Sequence, residues 1–304
     1  MKLQLLPRGR ALLLLPFVLM SVTGPVFAQP TAADVQQFQA RIDASALALG
    51  NHPRFKNHAP QHHQRLAEFV AGNMLFVVLH EMAHTAVNEM GLPVLGKAED
   101  AADAFAATRL IKIESGVSDR VLTDASQGWF MADRRDKKEG NTVPYYDQHG
   151  LDLVRAYQIV CYMVGSDKDR FKVLATETKL PDDRQASCAE DYNNAANSWD
   201  LVLKPHLRAP DQPKTKIDVI YGDADGDLGI HAQAFRSTQM LEIVAQHAAD
   251  QFVWPAPFTM EMQKCGFINA AWVASTHKLT LCYELAADFV ELYHAYGATG
   301  PDSR

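Results

Sequence analysis

Cysteine is scarce in this chain of 304 residues, which has only Cys161, Cys188, Cys265 and Cys282. No CxxC spacing occurs among them, which argues against a cysteine-built metal knuckle or a redox dithiol. Four cysteines allow three pairings. The favoured pairing is Cys161 with Cys188 and Cys265 with Cys282, because each pair falls within one expected unit. Long apolar runs are equally few. The run "ALLLLPFVLM" (11–20) is too short to span a bilayer, and no later stretch stays apolar for the roughly 18 residues a span needs. The mature form is therefore expected to lack a membrane span. No cysteine directly follows the apolar run, which argues against a lipoprotein anchor. Basic charge is in deficit, and no tandem repeat of fixed period is present.

Lys2, Arg8 and Arg10 precede the apolar run, and Val26 and Ala28 stand at the small-residue positions of a cleavage site. Residues 1–28 therefore read as a secretory signal removed after Ala28. Its three basic residues leave 26 Lys and Arg against 36 Asp and Glu, a net of −10. Such a surface repels phosphate backbones, so nucleic acid is not an expected partner. Export and an even cysteine count together point to an oxidising compartment, the periplasm.

The pattern predicts an α+β fold, mainly helical. Residues 29–208 read as a helical unit, and 209–304 as a smaller α+β unit with a hairpin and a terminal helix. Helices are expected over 31–49, 64–90, 97–114, 118–133, 150–164 and 184–203. The proline-bearing "LKPHLRAPDQPKTK" (203–216) reads as a linker. Beyond it, "KIDVIYG" alternates like a strand, 232–252 reads as one amphipathic helix, and "GFINAAWVA" and "LTLCYE" flank a turn at "STHK". The tract 51–64, with His52, His58, His62 and His63, reads as a solvated loop, since its histidines show no fixed ligand spacing. Asp223, Asp225 and Asp227 have the spacing of a calcium loop, but Leu228 and Ala234 stand where glycine and glutamate are needed.

The chemistry concentrates in "LFVVLHEMAHTAVNEMGLPVLGKAEDAADAF" (75–105). His80 and His84 are four apart, hence on one helical face and able to bind one Zn²⁺ from the same side. Glu81 stands one residue round, placed to take a proton from an attacking water as general base. The loop "GLPVLG" is short enough to bring the next helix back. Glu99 and Asp103 share a face of that helix. Glu99 can supply a third ligand, and Asp103 can accept the other N–H of a ligand histidine. Asp100 and Asp103 stay open as alternative third ligands. These charges sit among apolar residues, where they are costly unless paired or metal-bound.

HExxH followed on a later helix by ExxxD resembles the glutamate-zincin metallopeptidases, the thermolysin group. "LPVLGKAEDAAD", "DQHGLDLVRAYQIVCYMVG", "CGFINAAW" and "LTLCYEL" also resemble a bacterial family described as "putative zinc metallopeptidases", over most of the mature chain. The resemblance implies a zincin-like fold, zinc held by His80, His84 and Glu99 with Asp103 supporting a histidine, and peptide or protein substrates. The metzincin class is excluded, because Val87 and Met90 stand where it requires glycine and histidine. One departure bears on the fold. Zincins usually place an edge strand before the HExxH helix, whereas here helices precede it and the best strands follow residue 215.

A peptidase also needs a donor for the developing oxyanion. "YYDQHG" (145–150) offers His149, orientable by Asp147, with Tyr146 in reserve. "CYELAADF" (282–289) lacks histidine and cannot bind zinc in the HExxH manner. The leading expectation is an exported zinc metallopeptidase with Glu81 as base. The alternative is a catalytically inactive zincin-like envelope protein that binds a partner or a metal. The sequence carries no signal of oligomeric state.

Overall fold

The structure is a computed structural model and describes residues 31–141 and 145–297. Residues 1–28, expected to be a secretory signal, and the tail after Gly297 lie outside the described residues. The fold is mainly helical α+β. Seven helices come first: α1 (Ala32–Asn51), α2 (Pro60–Met90), α3 (Ala98–Ile111), α4 (Gly116–Glu139), α5 (Asp152–Ser166), α6 (Lys172–Glu177) and α7 (Asp182–Leu203). Strand β1 (Ile217–Tyr221), helices α8 (Gly229–Thr238) and α9 (Met240–Gln251), strands β2 (Phe258–Gln263), β3 (Ala270–Val273) and β4 (Lys278–Cys282), and helix α10 (Tyr283–Tyr296) follow.

The central element is α2, against which α1, α3, α4, α10 and β3 all pack. Pro60 starts it at a position where a missing N–H costs nothing. Gly91 ends it at φ 64°, a left-handed conformation that favours glycine. Because it is surrounded, it is apolar on every side: Leu66, Phe69, Met74, Phe76 and Val78 are all buried. Each such side chain contributes about 1.5–3 kcal/mol by leaving water. By length and composition alone α2 could cross a membrane, with a mean hydropathy of 1.4 over its most apolar window. However, 83 % of that window is buried inside the protein. Asn73, His80 and Glu81 interrupt the run, and all three are buried.

The sheet order is β1-β2-β4-β3, with β1, β2 and β4 parallel and β3 antiparallel to β4 at one edge. Met260, Met262, Leu279 and Leu281 face the core. On the other face Glu261 holds Lys278 at 2.8 Å and the Thr280 hydroxyl at 2.8 Å. The C-terminal strands fold back so that edge strand β3 and β4 pack on α2. The sheet edge beside the HExxH helix is thus supplied from the end of the chain.

Disulfides join Cys161 to Cys188, with Cα atoms 5.1 Å apart, and Cys265 to Cys282, 5.4 Å apart. The first ties α5 to α7. The second ties the end of β4 to the loop before β3. Two disulfides fit an extracytoplasmic protein.

Several expectations need correction. The helix expected over 232–252 breaks at Gln239, which takes φ 49° between α8 and α9. The loop expected from residue 133 is helical as far as Glu139, because Lys137 pairs with Asp133 one turn back and Gly140 supplies the left-handed stop. The histidine tract is not a solvated loop throughout: α2 begins at Pro60, and His63 is buried with Nε2 2.8 Å from the Phe55 carbonyl. Strand β2 and short helix α6 were not foreseen.

Candidate metal centre and active site

Helical spacing places His80 and His84 one turn apart on α2, both toward α3. The loop 91–97 returns the chain so that the first turn of α3 presents Glu99 to the two imidazoles. His80 Nε2 lies 3.0 Å from Glu99 Oε2 and 3.1 Å from His84 Nε2, and His84 Nε2 lies 3.4 Å from the same Glu99 oxygen. Asp103, one turn further along α3, lies 2.7 Å from His80 Nδ1. A carboxylate can only accept, so Nδ1 carries the hydrogen and donates. A metal ion that displaced the Nε2 proton would meet a lone pair directed toward Glu99 and His84.

Two imidazole Nε2 atoms and a carboxylate oxygen thus converge at mutual distances of 3.0–3.4 Å. Bonds of about 2.0–2.1 Å in a tetrahedron separate zinc donors by about 3.3 Å, so the set fits a zinc ion. The field in the cluster also favours positive charge. Burial opposes protonation of His80, but the carboxylates of Asp103 and Glu99 outweigh it and raise its pKa to about 9. Hydrogen bonds from His149, His80 and His84 hold Glu99 far below the ordinary carboxylate range.

Asp103 is 5 % exposed and needs its charge balanced. Burial pushes its pKa up, but Arg155 donates from Nε at 2.7 Å and from Nη2 at 2.8 Å, and with His80 brings it below its usual value. The Arg155 guanidinium lies 3.7 Å from the Trp129 ring centroid. Arg155 was not picked out from sequence, although its helix, α5, directly follows the "DQHG" segment. Asp100, the other acid of this turn, is exposed and outside the cluster.

Glu81 is 6 % exposed. Burial raises its pKa, while His80, His84 and the Trp272 backbone N–H lower it, and the net direction is up. Trp272 N–H, on β3, donates to Glu81 Oε2 at 3.0 Å. This contact spans 191 residues, and no local sequence signal announces it. His149 Nε2 reaches Glu99 Oε2 at 3.2 Å, and Asp147 braces the other nitrogen at 3.1 Å. The Glu99 carboxylate raises the His149 pKa. Tyr146 is 92 % exposed, and it is His149 that reaches the cluster.

The profile of a family described as "Putative metallopeptidase" matches residues 45–203 and 225–303. The chain belongs to that family. Membership brings a metal ion and peptide or protein substrates as the expected chemistry, in line with the motifs. The matched segments contain the HExxH helix, α3, the His149 segment and the sheet edge. Searches of curated proteins and of solved structures found no match.

Proposed function

We propose that the protein is an exported, periplasmic zinc metallopeptidase that hydrolyses peptide bonds, with Glu81 as general base. The observation that carries this reading is the convergence of His80 Nε2, His84 Nε2 and Glu99 Oε2 beside a buried Glu81. His80, His84 and Glu99 would hold the zinc. Zinc bound there supplies Lewis acidity, which polarises a carbonyl and makes water a better nucleophile.

The chain's own groups do the rest. Trp272 N–H anchors one oxygen of Glu81, which leaves the other to take a proton from the attacking water and deliver it to the leaving amine. Burial keeps Glu81 more basic than an exposed glutamate, which helps it accept that proton. His149, braced by Asp147 and reaching Glu99 beside the metal position, would donate to the developing oxyanion. Asp103 and Arg155 fix the tautomer and angle of His80. Because Trp272 N–H points away from β4, the ladder alternation puts main-chain groups of Ala270 and Trp272 on the open side of β3. An extended substrate can add to this edge.

The test is cleavage of a peptide library by the mature protein and by Glu81→Gln, with zinc measured in both. Cleavage that falls by about 10²–10⁴-fold in the variant, with zinc retained, supports the base assignment. Undiminished cleavage by Glu81→Gln would refute it. A zinc-loaded wild type that cleaves nothing would favour the inactive, partner-binding alternative.

A further inference from the structure

We propose that His58, His62 and His294 form a second transition-metal site, of the zinc class, which clamps the start of α2 to the last turn of α10. His58 directly precedes the Ala59 cap, His62 lies in the first turn of α2, and His294 comes from the other end of the chain. Their donor atoms lie within 4.8 Å of one another. Ring centroids are 4.4 Å apart for His58 and His62, 5.3 Å for His62 and His294, and 5.5 Å for His58 and His294.

His62 Nε2 is buried and has no hydrogen-bond partner among the described residues. A buried polar atom without a partner is costly, and a metal ion is a partner that this lone pair fits. The neighbouring His63 is satisfied by the Phe55 carbonyl and is not part of the set. The Arg54 cation on the preceding turn is paired with Glu291. A set of imidazoles without carboxylates suits zinc, copper or nickel rather than calcium or magnesium. His58 is exposed and outside the helix, so its ring can rotate to close the spread, with water left to complete the coordination. His62 and His80 are 18 residues apart on one helix. At 1.5 Å per residue this is about 27 Å, so the two metal positions share no ligand.

The experiment is zinc equilibrium dialysis with elemental analysis on untagged mature protein. The proteins compared are wild type, Glu99→Ala, His58→Ala and His294→Gln. His58→Ala removes an exposed ring, so it tests the site even if His294→Gln disturbs packing. The expected result is two zinc ions per wild-type chain and one in Glu99→Ala. In His58→Ala one ion should stay tight and the other weaken by at least about tenfold, the least expected even for loss of a supporting partner. One equivalent of copper bound to Glu99→Ala should show hyperfine coupling to several imidazole nitrogens, and His58→Ala in the same background should show fewer coupled nitrogens. A single wild-type zinc that vanishes in Glu99→Ala would overturn the proposal. So would a second zinc whose affinity is unchanged in both histidine variants. A single zinc indifferent to Glu99→Ala but lost in His58→Ala would support this site and refute the one at His80.

Discussion

Arg155→Met tests whether the metal centre depends on its supporting charges. Arg155 and Asp103 are both buried, at 8 % and 5 % exposure, and are joined by two hydrogen bonds of 2.7 and 2.8 Å. Methionine keeps much of the aliphatic volume but leaves the Asp103 carboxylate with His80 Nδ1 as its remaining charged partner. Breaking a buried pair from one side costs about 3–5 kcal/mol. Losing the stack on Trp129 costs about 1–2 kcal/mol more. Part of this is recovered if Asp103 takes up a proton. A protonated Asp103 is a poorer acceptor for His80 N–H, so the imidazole loses its fixed tautomer and zinc affinity falls by about 10–100-fold. Urea unfolding of metal-free protein reads the first effect, and competition with a calibrated chelator reads the second. Wild-type values in both assays would refute the claim that Arg155 and Asp103 hold His80 in place. A lower unfolding midpoint with unchanged zinc affinity would reduce the pair to a packing role.

Further outcomes follow from other parts of the structure. His149→Ala should lower kcat by about 10²–10³-fold and leave zinc content unchanged, and loss of the metal would contradict its role as oxyanion donor. A Cβ on Gly128 would stand 2.1 Å from Asn73 Oδ1, and Asn73 is held by the carbonyls of Phe69 and Asp124. Gly128→Ala should therefore destabilise the protein by about 1–3 kcal/mol despite alanine's better helix propensity, and thermal unfolding checks this. Burial, helped by Arg54 and His52, lowers the His231 pKa to about 4. The unfolded value is near 6.5, so this contribution is complete above about pH 6.5, declines as the pH falls, and is gone below about pH 4. It amounts to about 3 kcal/mol, and His231→Leu should flatten the urea midpoint over that window.

Most of the helical architecture was legible because its signals are local. Thr31 caps α1 through a capping box with Asp34, and Gly91 and Gly140 stop α2 and α4 in left-handed conformations. Misses occurred where tertiary contacts override the local pattern. The amphipathic run 232–252 gives no warning of a break, yet Gln239 turns the chain there. The Tyr221 hydroxyl then accepts from Leu241 N–H at 3.3 Å and donates to Glu242 at 2.8 Å, a sheet contact that sets the new helix direction. Strand β2 is the exception: Phe258, Met260 and Met262 alternate with Thr259, Glu261 and Gln263, a local strand signal that was there to be read, and the fold then buries Glu261 against Lys278 and Thr280.

The same distinction runs through the candidate site. His80, Glu81, His84, Glu99 and Asp103 are readable because two helices and a short loop bring them together within 24 residues. What surrounds them is not local. Arg155 reaches Asp103 across 52 residues, and Trp272 reaches Glu81 across 191. These distant partners determine what the motif can do. Without the Trp272 N–H, both Glu81 oxygens would be free to turn toward the neighbouring imidazoles and be neutralised there. Without Arg155, Asp103 would be an uncompensated buried charge. In the proposed reading the motif supplies the metal ligands, and the C-terminal edge strand together with α5 holds Glu81 and His80 in the orientation that proton transfer would require.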